Sequence, residues 1–341
     1  MSGTWQDFGW GSAEIPREAL DDATRRARDL PRTLTWVEAD DAVQYPVFDP
    51  SMKHHHNAYR ATDPGFADPA RGAAWRTARR RALDLVLAAI AGSEWVDSLV
   101  LRGSVLMSVW FGDAAREPGD LDFVVVPRAW RIDQERTGRM LDGIAAAAQA
   151  LADERRQEHG PDVGVSARGA VVEDIWTYDR VPGRRMVLPW DAPGLPGGHV
   201  QLDFVFNERL PEEPEPVELP GDSVLWAATP GLSLAWKLMW LINDMHSQGK
   251  DLYDAVLLAE RHPLPYELLH EVFRLSAEWP RQDREGVFLE DLVQSLRYVE
   301  WEHFVTEYPR FADLEREFVD RLVRAMAPTF EGRRPGPRNR G

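Results

Sequence analysis

The stretch that decides the fold is Leu99-Val-Leu-Arg-Gly-Ser-Val-Leu-Met-Ser108, followed after a polar loop by Pro118-Gly-Asp-Leu-Asp-Phe-Val-Val-Val126. Val96–Leu101 is a β-like run that ends in Arg102-Gly103-Ser104. Val105–Phe111 is apolar and begins a helix, Gly112–Gly119 is the loop, and Leu121–Val126 is the next strand. Side chains alternate across a strand, so Asp120 and Asp122 point to one face while Leu121 and Phe123 point into the core. Two carboxylates on one face repel, and they make sense when divalent cations sit between them. Mg²⁺ prefers oxygen ligands and is held by one or two carboxylates plus substrate phosphates.

A third acid obeys the same logic. Gln201-Leu-Asp-Phe-Val-Phe206 reads as a strand in which Asp203 stands between apolar Leu202 and Phe204, so its carboxylate projects from the functional face. If that strand lies near Leu121–Val126, three aspartates converge. Three carboxylates with two metals suit in-line displacement at a nucleotide α-phosphate. Gly103-Ser104 supplies the other half. A glycine at a strand-to-helix turn lets backbone N–H groups approach phosphate, the helix N-terminus favours anions, and Ser104 adds a hydroxyl donor. Each element alone is common, and the specificity lies in their order.

Working outward, residues 1–70 read as an irregular N-terminal extension with a short helical run from Arg17 to Leu30 and the triplet His54-His55-His56. That triplet is read as a loop contact or substrate-facing patch before a metal site. Ala70–Ala91 is helical, with Leu83, Val86, Leu87 and Ile90 at helical spacing. The same helix carries Arg71, Arg76, Arg79, Arg80 and Arg81, read first as a solvated face and second as a phosphate-facing rim. Gln134–Gln157 is an Ala-rich helix, and Val163–Val172 and Asp174–Tyr178 are strands. Pro182–Gly198 is a Pro/Gly-rich hairpin or loop. Pro211–Pro220 is an acidic connection and the best domain boundary. After Pro230 the chain is helical over Leu232–Met245, Asp251–Arg261, Tyr266–Ser276, Leu289–Phe304 and Phe311–Met326. The expected organisation is thus 1–70 as extension, 71–210 as an α/β domain, 221–330 as a helical domain, and 331–341 as a disordered tail carrying Arg333, Arg334, Arg338 and Arg340. No internal repeat is visible.

Composition bounds the rest. The 341 residues are 44% hydrophobic and 28% charged, which suits a packed core, and 341 residues amount to about two domains. There is no cysteine, which excludes disulfides, thiol catalysis and Cys-ligated metals. Met1–Glu18 shows no apolar signal-peptide core and no run is long enough to span a bilayer, so a cytoplasmic protein is expected. The net charge of −16 argues against a general DNA-coating role without excluding a local basic groove.

The sequence resembles the AbiEii/AbiGii toxin branch of the nucleotidyltransferase superfamily, whose core is similar to the DNA polymerase β palm. The resemblance rests on Leu101-Arg-Gly-Ser-Val-Leu-Met-Ser108, on Gly119-Asp-Leu-Asp-Phe123, on Leu234-Ala-Trp-Lys-Leu-Met-Trp-Leu241, and on Lys250-Asp-Leu-Tyr-Asp-Ala255, which resembles an Arg-Asp-x-x-Asp signature. It covers residues 95–260. It implies an α+β fold: a polymerase-β-like mixed sheet with flanking helices, followed by an all-helical C-terminal domain. It further implies that Gly103 and Ser104 bind a triphosphate, that Asp120 and Asp122 hold two Mg²⁺ (Mn²⁺ as a substitute), and that Lys237 contacts phosphate. Asp251 and Asp254 complete the site from one helix face, and Asp203 follows as the superfamily's third carboxylate.

Two departures stand out. Fifteen residues separate Ser104 from Asp120, the extra length falling in a loop where insertion is tolerated, and Lys250 replaces the usual arginine.

The activity so implied is metal-dependent transfer of NMP from an NTP to an acceptor hydroxyl. The acceptor is RNA or tRNA, as for a toxin of a type IV toxin–antitoxin system, with a cognate antitoxin as partner and no membrane association. Alternatives are a small-molecule (aminoglycoside-type) or protein nucleotidyltransferase, and a non-catalytic nucleotide-binding regulatory module. A metal-dependent glycosyltransferase shares Asp-x-Asp but gives no reason for the Gly-Ser turn or the later Lys/Asp helices.

Overall fold

In the computed structural model, residues 20–177, 181–276 and 286–333 are described. In chain order, α1 (Asp22–Arg28) is capped by Asp21, whose side chain accepts from Thr24 N. Two short antiparallel pairs follow, β1 (Ala42–Val43) with β4 (Gly65–Phe66) and β2 (Pro46–Phe48) with β3 (Tyr59–Ala61). Next come α2 (Pro69–Ala91), β5 (Leu99–Arg102), α3 (Ser104–Phe111), β6 (Leu121–Val125) and α4 (Glu135–His159). The strands β7 (Gly164–Val165), β8 (Val171–Thr177), β9 (Val181–Ala192), β10 (Leu195–Val205), β11 (Glu215–Leu219) and β12 (Ser223–Ala227) complete the β-structure. The helices α5 (Pro230–Asn243), α6 (Gly249–Arg261), α7 (Tyr266–Leu275), α8 (Leu289–Ser295), α9 (Trp301–Glu307) and α10 (Glu315–Met326) close the chain. This is the expected α+β fold. No described helix is long and apolar enough to cross a membrane. The chain divides into two compact units, residues 1–101, 119–208 and 216–226 in one, and residues 102–118, 209–215 and 227–341 in the other.

The first unit is built on a mixed sheet of strand order β11-β12-β5-β6-β10-β9-β7, with β8 also pairing β9. β6 and β10 run parallel, β10 and β9 antiparallel. The inward residues of β6 and β10 form its core. Leu121, Phe123, Leu202 and Phe204 are fully buried, and Phe123 stacks on Phe204 at 5.6 Å between ring centroids. α2 starts at Asp68, which caps Ala70 N, with Pro69 in the first turn. It packs on α4 and β10, and α4 buries Met140, Ile144, Ala148 and Ala152 at four-residue spacing.

Pro182–Gly198, read as a hairpin or loop, is part of a hairpin of two long strands, β9 and β10. Gly198 is required there because a Cβ would lie 2.7–2.9 Å from the rings of Trp190 and Trp75, which pack together across it. Several other expected segments differ. Val163–Val172 is not one strand. Gly164–Val165 pairs with β9 as one short strand, the chain turns at Ala167–Ala170, and Val171–Val172 pair with β9 again as the start of β8. The second half of the acidic Pro211–Pro220 segment is the edge strand β11, held by β12 across a tight turn at residues 220–222. Of the expected helix Arg17–Leu30, residues 17–19 lie outside the described residues and Asp22–Arg28 is helical. Tyr178, Arg334, Arg338 and Arg340 also lie outside the described residues.

The second unit is helical. α5 begins at Thr229-Pro230, where the Thr229 hydroxyl accepts from Leu232 N. Its centre is aromatic: Tyr253 on α6 meets Phe304, Phe311 and Phe318 at 4.9–5.5 Å. The expected single helix Leu289–Phe304 is broken. α8 passes through a 3₁₀ turn and the chain extends at Glu300, whose N–H bonds Ser247 O at 2.7 Å. That long-range bond outweighs helical periodicity. Likewise Phe311–Met326 is helical only from Glu315, after a 3₁₀ turn at Pro309–Phe311.

Glu300 also joins two histidines, His246 Nδ1 at 2.9 Å and His303 Nδ1 at 3.0 Å. Burial pushes its carboxyl up, but these partners win and hold it down at about 2, against 4.5 unfolded. A carboxyl lowered in the fold contributes stability that is complete above pH 4.5 and lost as pH falls towards 2. Thermal melts across that window are expected to fall more steeply for the native protein than for Glu300→Gln. Parallel curves would show that this carboxylate does not couple the fold to acid.

Candidate active site

β6 and β10 place the acidic residues of the first unit. Their parallel register sets Asp203 directly beside Asp122, and strand alternation puts both on the face opposite Phe123 and Phe204. Asp120 lies one residue before β6, two before Asp122, and so on that same face. Asp120, Asp122 and Asp203 each offer a carboxylate oxygen, all within 4.8 Å of one another. The expected convergence of three aspartates is therefore present within this unit. The donor set is all oxygen, three carboxylates at one spot, and it fits a hard divalent cation such as Mg²⁺.

Asp203 is only 6% exposed and is held from behind. Arg185, its cross-strand neighbour on β9, donates from Nε to Oδ1 and from Nη2 to Oδ2, both at 2.8 Å. Gln201 Nε2 adds a bond at 3.2 Å. The same guanidinium reaches Asp49 at 2.5 Å and Ser51 Oγ at 3.0 Å, in the turn after β2. Burial works against the charge on Arg185, and the two carboxylates outweigh it and keep the group charged. Burial pushes the Asp203 carboxyl above its ordinary range, Arg185 pulls it back, and the charge of Asp120 adds to the push. A divalent cation among the three carboxylates removes that repulsion. Asp49 is driven the other way: burial raises it, but Arg185 and Ser51 hold it well below the usual carboxylate range. Asp49→Asn should therefore cost about 1.5–3 kcal/mol, the range for a hydrogen bond to a charged group. Urea unfolding measures it, and an unchanged midpoint would show that the Asp49 contact is energetically idle.

Arg79 is a second residue with an unforeseen place. Its sequence position puts it among the arginines of a solvated face or phosphate rim, yet it is buried. Its Nη2 donates to Gly119 O at 2.7 Å, and Asp63 stands 3.4 Å from Nη1. It thus braces the backbone immediately before Asp120. Arg71 pairs with Asp41 and Arg81 with Asp162, so these arginines are engaged inside the unit.

In the second unit, Gly103 precedes α3 with φ 83° and ψ −150°, a conformation open to glycine and strained for any other residue. Ser104 opens the helix and is buried. Lys237, only 5% exposed, lies at 2.7 Å from Asp251 Oδ1 and 3.0 Å from Asp254 Oδ2. Asp254 is fully buried and is gripped by Arg116 through Nε and Nη2 at 3.1–3.3 Å. Burial lowers the Lys237 ammonium, and Asp251 and Asp254 more than restore it, so it is charged. Burial raises Asp254, and Arg116 and Lys237 bring it below its ordinary value. Lys237 Nζ also lies 5.0 Å from the Trp240 ring, and Arg102 lies over Trp236 and Trp240. The structure thus joins Lys237, Asp251 and Asp254, with Arg116 as a partner the sequence reading missed. Arg116 lies in the loop whose length was a departure, and nothing in its local pattern distinguishes it.

A family model described as "Nucleotidyl transferase AbiEii toxin, Type IV TA system" matches residues 85–331, well over half of the chain. No curated protein matches it significantly.

Proposed function

Because the chain belongs to the AbiEii family of nucleotidyl transferase toxins of type IV toxin–antitoxin systems, we propose that it transfers NMP from an NTP to an acceptor hydroxyl at Asp120, Asp122 and Asp203. The observation that carries this reading is the meeting of those three carboxylates within 4.8 Å. Asp120 and Asp122 would hold two Mg²⁺, with Mn²⁺ as a substitute. Bound divalent cations supply charge neutralisation at the α-phosphate and at the departing pyrophosphate.

The chain's own residues do the rest. Gly103, with no side chain, and Ser104, with its hydroxyl, receive the triphosphate at the start of α3. Lys237, kept charged by Asp251 and Asp254, steadies it. Asp203, oriented by Arg185, either completes the metal ligation or accepts the proton of the attacking hydroxyl. The acceptor oxygen forms a bond to the α-phosphorus as the bond to pyrophosphate breaks. As a type IV system member the protein works against a cognate antitoxin, and RNA, tRNA in particular, is the acceptor proposed.

A second acceptor class has support of its own. The chain carries a net charge of −16, and Arg71, Arg79 and Arg81 are engaged in internal contacts. Both facts favour a cationic small molecule over RNA. Incubating the protein with each of the four α-labelled NTPs, Mg²⁺ and, separately, total RNA, the protein alone, and an aminoglycoside distinguishes these acceptors. Label in RNA supports the main reading, label in the aminoglycoside or the protein replaces the acceptor, and label in none rejects transfer.

A further inference from the structure

Away from the aspartate cluster, a second group of metal-ligating side chains gathers in the first unit, where the segment after α1 meets β8. His54, His55 and Glu173 each present a ligand atom, all within 4.8 Å of one another. His55 stands at the centre. Its Nε2 lies 3.0 Å from Glu173 Oε1 and its Nδ1 3.0 Å from Asp29 Oδ1. Asp29 is itself fixed, because its Oδ2 accepts from His56 N at 2.7 Å. Glu173 is fixed as well: Oε1 accepts from Arg32 N, and Oε2 from Thr33 N and Oγ, each at 3.0 Å. His54 is exposed, with its ring 4.4 Å from that of His55.

We propose that His54, His55 and Glu173 form a binding site for a divalent transition metal, zinc above all, with Asp29 as the carboxylate behind His55. Metal-bound histidines give their second ring nitrogen to a carboxylate, which fixes the tautomer and the ring orientation. Asp29 already occupies that position on His55. Two imidazoles and a carboxylate are ligands that zinc accepts and that Mg²⁺, a hard ion seeking oxygen, does not prefer. The spacing is close to what is needed. Zinc bonds of about 2.0–2.2 Å in a tetrahedron set neighbouring ligand atoms about 3.3 Å apart. The His55–Glu173 contact therefore opens by only a few tenths of an ångström, and exposed His54 turns in as the third ligand. The ion takes the place of the proton on His55 Nε2, which passes to water.

The cluster lines a cavity of about 820 Å³, with Arg32, Arg184 and Asp133 also in its wall. Three protein ligands and one open position make an exchangeable site, not a closed structural one. Asp29, His54 and His55 all precede the region matched by the family model, whereas Glu173 falls inside it. The ion thus ties the segment before the matched region to the sheet. This assignment is independent of the nucleotidyl-transfer reading.

The test uses the full chain, stripped of metal with a chelator and carrying Asp120→Asn and Asp122→Asn so that the aspartate cluster does not compete. It is titrated with Zn²⁺ alone and, separately, with Co²⁺, whose visible absorption reports four-coordinate ligation. One Zn²⁺ per chain and a strong visible Co²⁺ band are expected. His54→Ala, an exposed change that leaves the Asp29–His55–Glu173 bonds in place, is expected to weaken Zn²⁺ at least about 10-fold. The melting temperature of the metal-free protein should stay the same. His55→Gln is expected to remove the Co²⁺ band. No saturable Zn²⁺ uptake, or uptake of equal affinity with and without His54, overturns the assignment.

Discussion

With Asp120 and Asp122 both changed to asparagine, nucleotidyl transfer is expected to fall at least about 1000-fold while the protein stays folded. A loss of that size corresponds to about 4 kcal/mol of transition-state stabilisation, within the range that removal of metal-borne charge stabilisation produces. Asparagine keeps the shape of each side chain and removes the anionic oxygens that a hard cation requires. Stability should hold or rise slightly. The Asp120 charge raises the carboxyl of buried Asp203, and removing it relieves that repulsion. The core beneath, Leu121 and Phe123, is untouched. Initial rates and a melting curve measured together check both halves. Unchanged activity would place the chemistry elsewhere, whereas an unfolded variant would show that the acids serve the fold.

The second large effect concerns stability. Asp254→Ala is expected to cost about 3–5 kcal/mol, the usual result of removing one member from a buried ion-pair group. Asp254 pairs with Arg116 and is one of two carboxylates on Lys237. Without it two cations at or below 8% exposure each lose a buried carboxylate partner. Lys237→Met is expected to cost less. It leaves the Arg116–Asp254 pair intact, and its own loss strands only Asp251, which sits nearer the surface. Urea unfolding of the two variants and of the double variant gives the coupling energy directly. Equal stability of Asp254→Ala and the native protein would mean that this group does not hold the helical unit together.

The sequence reveals those parts of the site that local periodicity controls. Strand alternation at Leu121–Val125 and Leu202–Phe204 decides which way Asp120, Asp122 and Asp203 face, and a glycine between a strand and a helix decides Gly103. Lys237, Asp251 and Asp254 were found through motif resemblance, and Asp251 and Asp254 share a helix face because they are three residues apart. What stays hidden is set by partners distant in the chain. Arg185 lies within the Pro182–Gly198 hairpin or loop, and its partners emerge only when β9 pairs with β10, with Asp49 136 residues away from it. Arg79 looks like one of a solvated arginine row, yet Gly119 O lies within its reach only in the folded unit. The His54–His56 triplet suggests a loop patch, and Glu173, 118 residues beyond His55, changes its chemistry. In the same way the break at Glu300 follows from a bond to Ser247, which leaves no periodic trace.

In the proposed reaction the α-phosphorus of an NTP is the reacting atom at a carboxylate-held metal site. The most direct measurement compares α-labelled with γ-labelled NTP, in the presence of Mg²⁺ and of total RNA, for the native protein and the Asp120→Asn, Asp122→Asn variant. Label from the α position is expected to enter the acceptor, label from the γ position to leave as pyrophosphate, and both to stop in the variant or on chelation. Acceptor labelled from the γ position, or α-labelling that survives in the variant, would contradict it.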